Sequence, residues 1–225
     1  MIADDISAVT FDLDNTLLEY ERSPGEVLQR AYENLGVDPL FPVSEYYDRY
    51  DEFAAKYDSM TTLREECFAT LASERGHEPE RGRAVAREFE AERDQSRVAF
   101  VAGAERVLSV ASDRYRTAII TNGAADAQRK KLAALGLGER VDAVVVAGAE
   151  CPPKPSPKPF ERALATLGVE PSTAVHVGDS LETDVAGANA VGAASVWIGE
   201  GDPDRFDPIA TVGSTQELLD LPWLS

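Results

Sequence analysis

The hydrophobic pattern of this chain changes period near residue 100. Beyond that point short apolar and β-branched runs recur, "TAIITN" (117–122), "DAVVVAG" (142–148), "TAVHVGD" (173–179) and "AASVWIG" (193–199). Runs of this length, apolar at nearly every position, predict strands buried on both faces. Between them lie "AADAQRKKLAALGLG", "PKPFERALATLGV" and "ETDVAGANAVG", where apolar residues return at helical spacing and Gly follows the last turn. With "ISAVTFDL" (6–13) near the start, at least five strands are expected. Strands alternating with helices predict an α/β fold, a Rossmann-like parallel sheet with helices on both faces.

Residues 19–98 follow a different rule. "SPGEVLQRAYENLG", "SEYYDRYDEFAAKYD", "TTLREECFATLASERG" and "PERGRAVAREFEAERDQ" all carry helical periodicity, with no convincing strand between them. The expected organisation is an α/β core of residues 1–18 and 99–225, interrupted by an all-helical domain, residues 19–98. The tail from residue 202 reads as one short helix and little else.

The 225 residues, 44% of them hydrophobic, suffice for one domain with a substantial core or for two modest ones. Charge changes the picture more. Forty acids face 22 bases, 17 Arg and 5 Lys, for a net charge of −18. Such a surface repels phosphate backbones and anionic lipid, so neither nucleic acid nor membrane is an expected partner. "MIADDISAVT" carries acids where the basic region of a secretory leader would stand. Cys67 and Cys151 lack metal-ligand spacing and are expected as reduced thiols in a cytoplasmic protein. An acid-rich, Lys-poor composition suits a salty cytoplasm, where screening suppresses self-repulsion, so a halophilic protein is expected. An anionic substrate would need a local positive centre, which draws attention to the few lysines.

Candidate chemistry gathers at predicted strand ends. In "FDLDNT" only Leu13 separates Asp12 from Asp14, so in an extended chain both carboxylates project to one side. Alone, the pair fits either a solvated strand end with an Asx turn or a site that recruits a cation. Thr121 and Asn122 end another strand, and Asp179 ends "AVHVGD". Ligands of open α/β sheets bind beyond the C-terminal strand ends, and independent polar clusters on one rim favour a site. A hydroxyl, an amide and the N–H groups of a helix start offer a cradle for phosphate at Thr121 and Asn122. Lys154 lies in the proline-stiffened loop "CPPKPSPKPF".

The motifs "DLDNT", "TNG", "KPSP" and "GDSLETD" stand in the order of the haloacid dehalogenase (HAD) superfamily. The chain resembles that family over residues 6–18 and roughly 100–199, and its helical insertion resembles a C1-type cap. The resemblance implies roles residue by residue. Asp12 is the implied nucleophile, forming an aspartyl-phosphate, and Asp14 the general acid/base, with its backbone carbonyl toward a cation. The implied cofactor is Mg²⁺, held by Asp12, Asp14 and Asp179, and the implied phosphate ligands are Thr121, Asn122 and Lys154. Oxygen donors with open positions suit that hard cation. Asp184 either supports the acidic site or complements the N-terminus of its helix.

Other residues read as structural. His176 lies within an apolar run and is expected in the core, His77 on the surface, and Lys158 on the exposed face of the next helix. "EYYDRY" fits core packing better than substrate contact. The expected function is a Mg²⁺-dependent phosphatase hydrolysing a small organic phosphate monoester through an aspartyl-phosphate. The alternatives are a sugar-phosphate mutase or another HAD phosphotransferase and, from a different class, a phospho-aspartate signalling module. The core motifs look most like those of phosphatases of sialic acid phosphate and nucleoside monophosphates. Substrate choice is expected to lie in the cap, and no oligomeric state is implied.

Overall fold

The computed structural model describes residues 6–57, 59–149 and 151–225. In chain order the elements are β1 (Ala8–Phe11), β2 (Leu18–Tyr20), α1 (Pro24–Leu35), α2 (Val43–Asp48), α3 (Tyr50–Ala54), α4 (Met60–Glu74) and α5 (Pro79–Glu92). There follow β3 (Val98–Phe100), α6 (Ala104–Arg114), β4 (Arg116–Asn122), α7 (Ala125–Ala134), β5 (Ala143–Ala147) and α8 (Lys158–Leu167). The last are β6 (Ala174–Gly178), α9 (Ala186–Ala190), β7 (Ala194–Ile198) and β8 (Ala210–Val212). By internal packing the chain divides into two compact units, Met1–Tyr20 with Gln95–Ser225, and Glu21–Asp94.

Six strands of the first unit form one parallel sheet in the order β5-β4-β1-β6-β7-β8. Successive residues of a strand point to opposite faces, and both faces are apolar here. Val9, Phe11, Ile119, Val175 and Val177 enter one core, while Ala8, Ala118, Ile120 and Ala174 enter the other. That double burial is why the runs lack polar alternation. β1 is central, with Val9 opposite Thr117 on one side and Val175 on the other. The chain runs outward from β1 through β4 and β5, then returns to β6 on the other flank of β1. Such a reversal of strand order opens a crevice at the C-terminal ends of the strands involved.

Two features depart from the sequence expectation. β8 adds a sixth strand, pairing with β7 in a tail expected to hold only a short helix. β2 and β3 form an antiparallel ribbon, with Leu18 opposite Phe100 and Tyr20 opposite Val98, at the margins of a segment expected to be wholly helical. Strands of three residues are too short for a period-2 pattern to register, and β2 and β3 are defined only by each other across the helical segment.

Within the second unit, Ser23 and Glu26 form a reciprocal capping box at the start of α1, and Gly36 closes the helix in the left-handed region. Phe68 anchors the helical core, with Phe41 and Tyr46 edge-on at ring-centroid distances of 4.9 and 5.2 Å. Tyr46 is buried and Tyr47 exposed, so packing accounts for much of "EYYDRY". α5 meets α4 at Gly82, where a Cβ would lie 2.2 Å from the Phe68 carbonyl oxygen. Among the described residues no helix is long and apolar enough to cross a membrane.

Candidate active site

Asp12 follows the last residue of β1, and its N–H still joins the sheet by donating to the Val177 carbonyl at 2.8 Å. The side chain is nearly buried. Immediately afterwards the chain reverses. Asn15 adopts φ 59°, a left-handed conformation that Asn tolerates better than most residues, and both Leu17 and Leu18 donate to the Leu13 carbonyl at 3.0 Å. This turn brings the Asn15 amide within 3.3 Å of Asp179 Oδ2. The first and fourth motifs therefore meet across the β1–β6 pair.

Lys154 stands between two acids. Its ammonium donates to Asp12 Oδ1 at 2.6 Å, to Asp184 Oδ1 at 2.6 Å and to the Ile120 carbonyl at 2.8 Å. All three donors of a buried ammonium are thus used. Asp184 is also buried. It accepts from the Ser180 N–H at 3.1 Å and lies 3.3 Å from His176 Nε2, while His176 Nδ1 is 2.9 Å from the Thr10 hydroxyl. A neutral ring fits both contacts, accepting from Thr10 and donating to Asp184. His176 is in the core, as its apolar strand suggests, and it also backs the acidic centre.

The electrostatics follow from this arrangement. Burial, opposed by Lys154 and reinforced by the Asp184 charge, pushes the Asp12 carboxyl up to about 7. Burial acts against Asp184 too, but His176 and Lys154 outweigh it and hold that carboxyl at about 2. Burial followed by Asp184 raises Asp179, and burial lowers His176. Asp12, Asp179 and Asp184 each present an oxygen within 4.8 Å of the others. Three carboxylates against one lysine leave an excess of negative charge, and an all-oxygen donor set fits a hard dication such as Mg²⁺. Asp184, whose role the sequence left open, belongs to this group.

The Asp14 carboxylate points to other partners. Lys131 Nζ donates to its Oδ1 at 2.7 Å and Gln128 Nε2 to its Oδ2 at 2.9 Å. Both donors sit on α7, and sequence reasoning missed both. The available signal is a lysine three residues after a glutamine in a chain with only five lysines, and its place within a helix rather than a loop conceals it.

The remaining expected residues fall on the same rim with unequal freedom. Thr121 is buried, and its hydroxyl accepts from Gln128 Nε2 at 2.6 Å. The Asn122 side chain is committed to the loop carrying Lys154. Its Oδ1 accepts from the Lys154 N–H at 2.7 Å and its Nδ2 donates to the Lys154 carbonyl at 3.0 Å, so the amide holds the lysine loop against the end of β4. No side chain caps the start of α7. Lys158 lies on the exposed face of α8, paired with Glu161 at 2.9 Å.

A parallel sheet reversing at β1, with an acid-lysine cluster at the reversal, defines a Rossmann-like α/β core with its site at the switch point. The model of the haloacid dehalogenase-like hydrolases matches residues 6–192, and the chain belongs to that family. Among curated relatives, the phosphoserine phosphatase of Thermus thermophilus is 37% identical over 162 residues, 70% of this chain and 64% of that enzyme. The glyceraldehyde 3-phosphate phosphatase of Methanopyrus kandleri is 30% identical over 210 residues, 90% of this chain and 88% of that enzyme. The human N-acylneuraminate-9-phosphatase is 29% identical, covering 97% of this chain and 93% of that enzyme. The fold is shared with the magnesium-bound HAD-hydrolase YfnB of Bacillus subtilis, at a TM-score of 0.76 over 96% of this chain and 98% of that one, with 18% identity.

Proposed function

We propose that the protein is a Mg²⁺-dependent phosphatase that hydrolyses a small organic phosphate monoester through an aspartyl-phosphate on Asp12. One observation carries the reading: a single pocket of charge joins Asp12, Asp179, Asp184 and Lys154, while Asp14, two residues from Asp12, has its own separate partners. Phosphoryl transfer needs an in-line nucleophile, compensation of phosphate charge and a proton donor for the leaving oxygen. The three curated relatives are named for esters of small metabolites, which supports the substrate class without selecting a member.

In this reading Asp12, Asp179 and the backbone carbonyl of Asp14, with Asp184 beside them, would hold Mg²⁺, which when bound supplies charge neutralisation for the carboxylates and the phosphoryl oxygens. Lys154 adds a second positive charge beside Asp12. A carboxylate oxygen of Asp12 attacks phosphorus, the P–O ester bond breaks, and Asp14 gives its proton to the departing alcohol. Asp14, now ionised, takes a proton from water as that water attacks the aspartyl-phosphate, releasing inorganic phosphate and restoring Asp12. Thr121 and the start of α7 supply hydroxyl and N–H donors for the phosphoryl oxygens.

A panel of phosphate esters assayed with Mg²⁺ tests this reading. Turnover should require the metal, and Asp12→Asn should abolish it without loss of folding, because shape is kept and the nucleophile removed. Full activity in excess chelator would sink the metal assignment, and retention of a tenth of the activity by Asp12→Asn would mean that water attacks phosphorus directly. We also propose that the −18 charge is an adaptation to high salt.

A further inference from the structure

Both oxygens of the Asp14 carboxylate are gripped from one helix. Gln128 and Lys131 are three residues apart on α7, so their side chains share a face. Lys131 meets Oδ1 and Gln128 meets Oδ2. Neither grip is a loose surface contact. The Lys131 side chain is 7% exposed, and its ammonium lies 4.8 Å from the centroid of the Tyr20 ring. That ring is fixed in turn by a 2.5 Å hydrogen bond from its hydroxyl to Gln95. A buried ammonium requires a counter-charge and gains from an aromatic face, and here Asp14 and Tyr20 provide them.

The Gln128 amide reaches further. Its Nε2, which shares two hydrogens among its acceptors, also lies 2.6 Å from the Thr121 hydroxyl oxygen and 3.0 Å from the Asn122 carbonyl, linking the candidate acid/base to the candidate phosphate cradle. Gly123 makes room for it. Its φ is 140°, and a Cβ there would lie 3.3 Å from Gln128 carbons. The Asp14 side chain stays a third exposed, so the grip leaves a face of the carboxylate open.

We propose that Lys131 and Gln128 are positioning residues that fix the Asp14 carboxylate in the orientation from which it exchanges protons with the leaving oxygen and with water. The proposal rests on the phosphatase reading of the site. Lys131 acts through Asp14 and does not contact the substrate. A freely rotating carboxylate at this position loses alignment in both half-reactions, and misplacement of a catalytic group is costly even over short distances.

A double-mutant cycle of Lys131→Met and Asp14→Asn, assayed with Mg²⁺ on p-nitrophenyl phosphate and β-glycerophosphate, reads this directly. General acid/base help is worth about 10²- to 10⁴-fold, and Lys131→Met should forfeit about 10- to 100-fold of it in kcat, with KM and inhibition by inorganic phosphate unchanged. Lys131→Arg should restore most of the loss. In the Asp14→Asn background, Lys131→Met should cost no more than about twofold. Losses that multiply across the cycle would mean that Lys131 acts independently of Asp14. A raised KM or weakened phosphate inhibition would mean that it touches the substrate, and an unchanged kcat would mean that the grip is idle. Each overturns the proposal. If Lys131→Met does not fold, Gln128→Leu in the same cycle carries the same expectations. Failure of the wild-type enzyme to hydrolyse any ester would appear before any variant is made, and would bring down the phosphatase reading and this inference together.

Discussion

At the scale of single residues, the decisive contest is for the charge on Asp12. Lys154 favours its ionised form, yet burial and the neighbouring Asp184 dominate and bring the carboxyl up to about 7, from an ordinary 3.8. A dication must therefore displace a proton to bind at lower pH. Mg²⁺ affinity, measured by titration calorimetry, should rise by about tenfold per pH unit up to pH 7 and then flatten. Affinity independent of pH between 5 and 8 would contradict the Asp12 shift. Stability without metal follows with the opposite sign. Between 3.8 and about 7 the folded chain keeps an Asp12 proton that the unfolded chain has released, so this group's contribution declines as pH rises through that window. Asp184, held at about 2, contributes stability that is fully present above 3.8 and is lost as pH falls from 3.8 toward 2.

At the scale of elements, two glycines set how closely backbone segments approach. Gly82 lets α5 touch α4 where a Cβ would collide with the Phe68 carbonyl and the Ala69 Cα. Helix propensity alone favours Gly82→Ala by about 1 kcal/mol. Overpacking typically costs about 1–3 kcal/mol, and more where the obstacle is backbone. The clash should win, lowering Tm by about 2–4 °C for each net kcal/mol. A raised Tm in a calorimetric scan would show that the helices part without cost. Gly123→Ala faces strain at φ 140° as well as crowding of Gln128, so it should reduce phosphatase turnover as well as stability. Normal kcat in a folded Gly123→Ala protein would show that the Gln128 link to Asp14 survives the added methyl group.

Over the whole molecule, charge balance outweighs individual pairs. Exposed Arg–Glu bridges such as Arg49–Glu74 and Arg87–Glu80, both 2.7 Å, weaken as salt rises and contribute little individually. The acids exceed the bases by 18, so repulsion remains after every base is paired. The screening length shrinks from about 10 Å at 0.1 M salt to about 3 Å at 1 M. Tm should therefore rise from low to molar KCl, and a flat or falling Tm would remove the salt-adaptation reading while leaving the enzymology untouched.

Five core strands and the helical character of most of residues 19–98 were legible in the sequence, because double burial enforces continuous apolar runs and amphipathic packing enforces helical spacing. Asp12, Asp14, Thr121, Asn122 and Asp179 stand out as polar residues closing apolar strands, Lys154 as one of five lysines in a proline-stiffened loop, and their motif order points to one family. The three-residue strands β2, β3 and β8 were hidden, since they are too short for a pattern of their own and only pairing with another strand defines them. Only the tertiary structure could recruit His176 and Asp184 to Lys154, commit Asn122 to the lysine loop and set Lys131 and Gln128 on Asp14. Those contacts join segments from four different strand ends and α7. Their energies depend on burial and on distances of a few ångströms, quantities fixed only when the sheet brings its strand ends together.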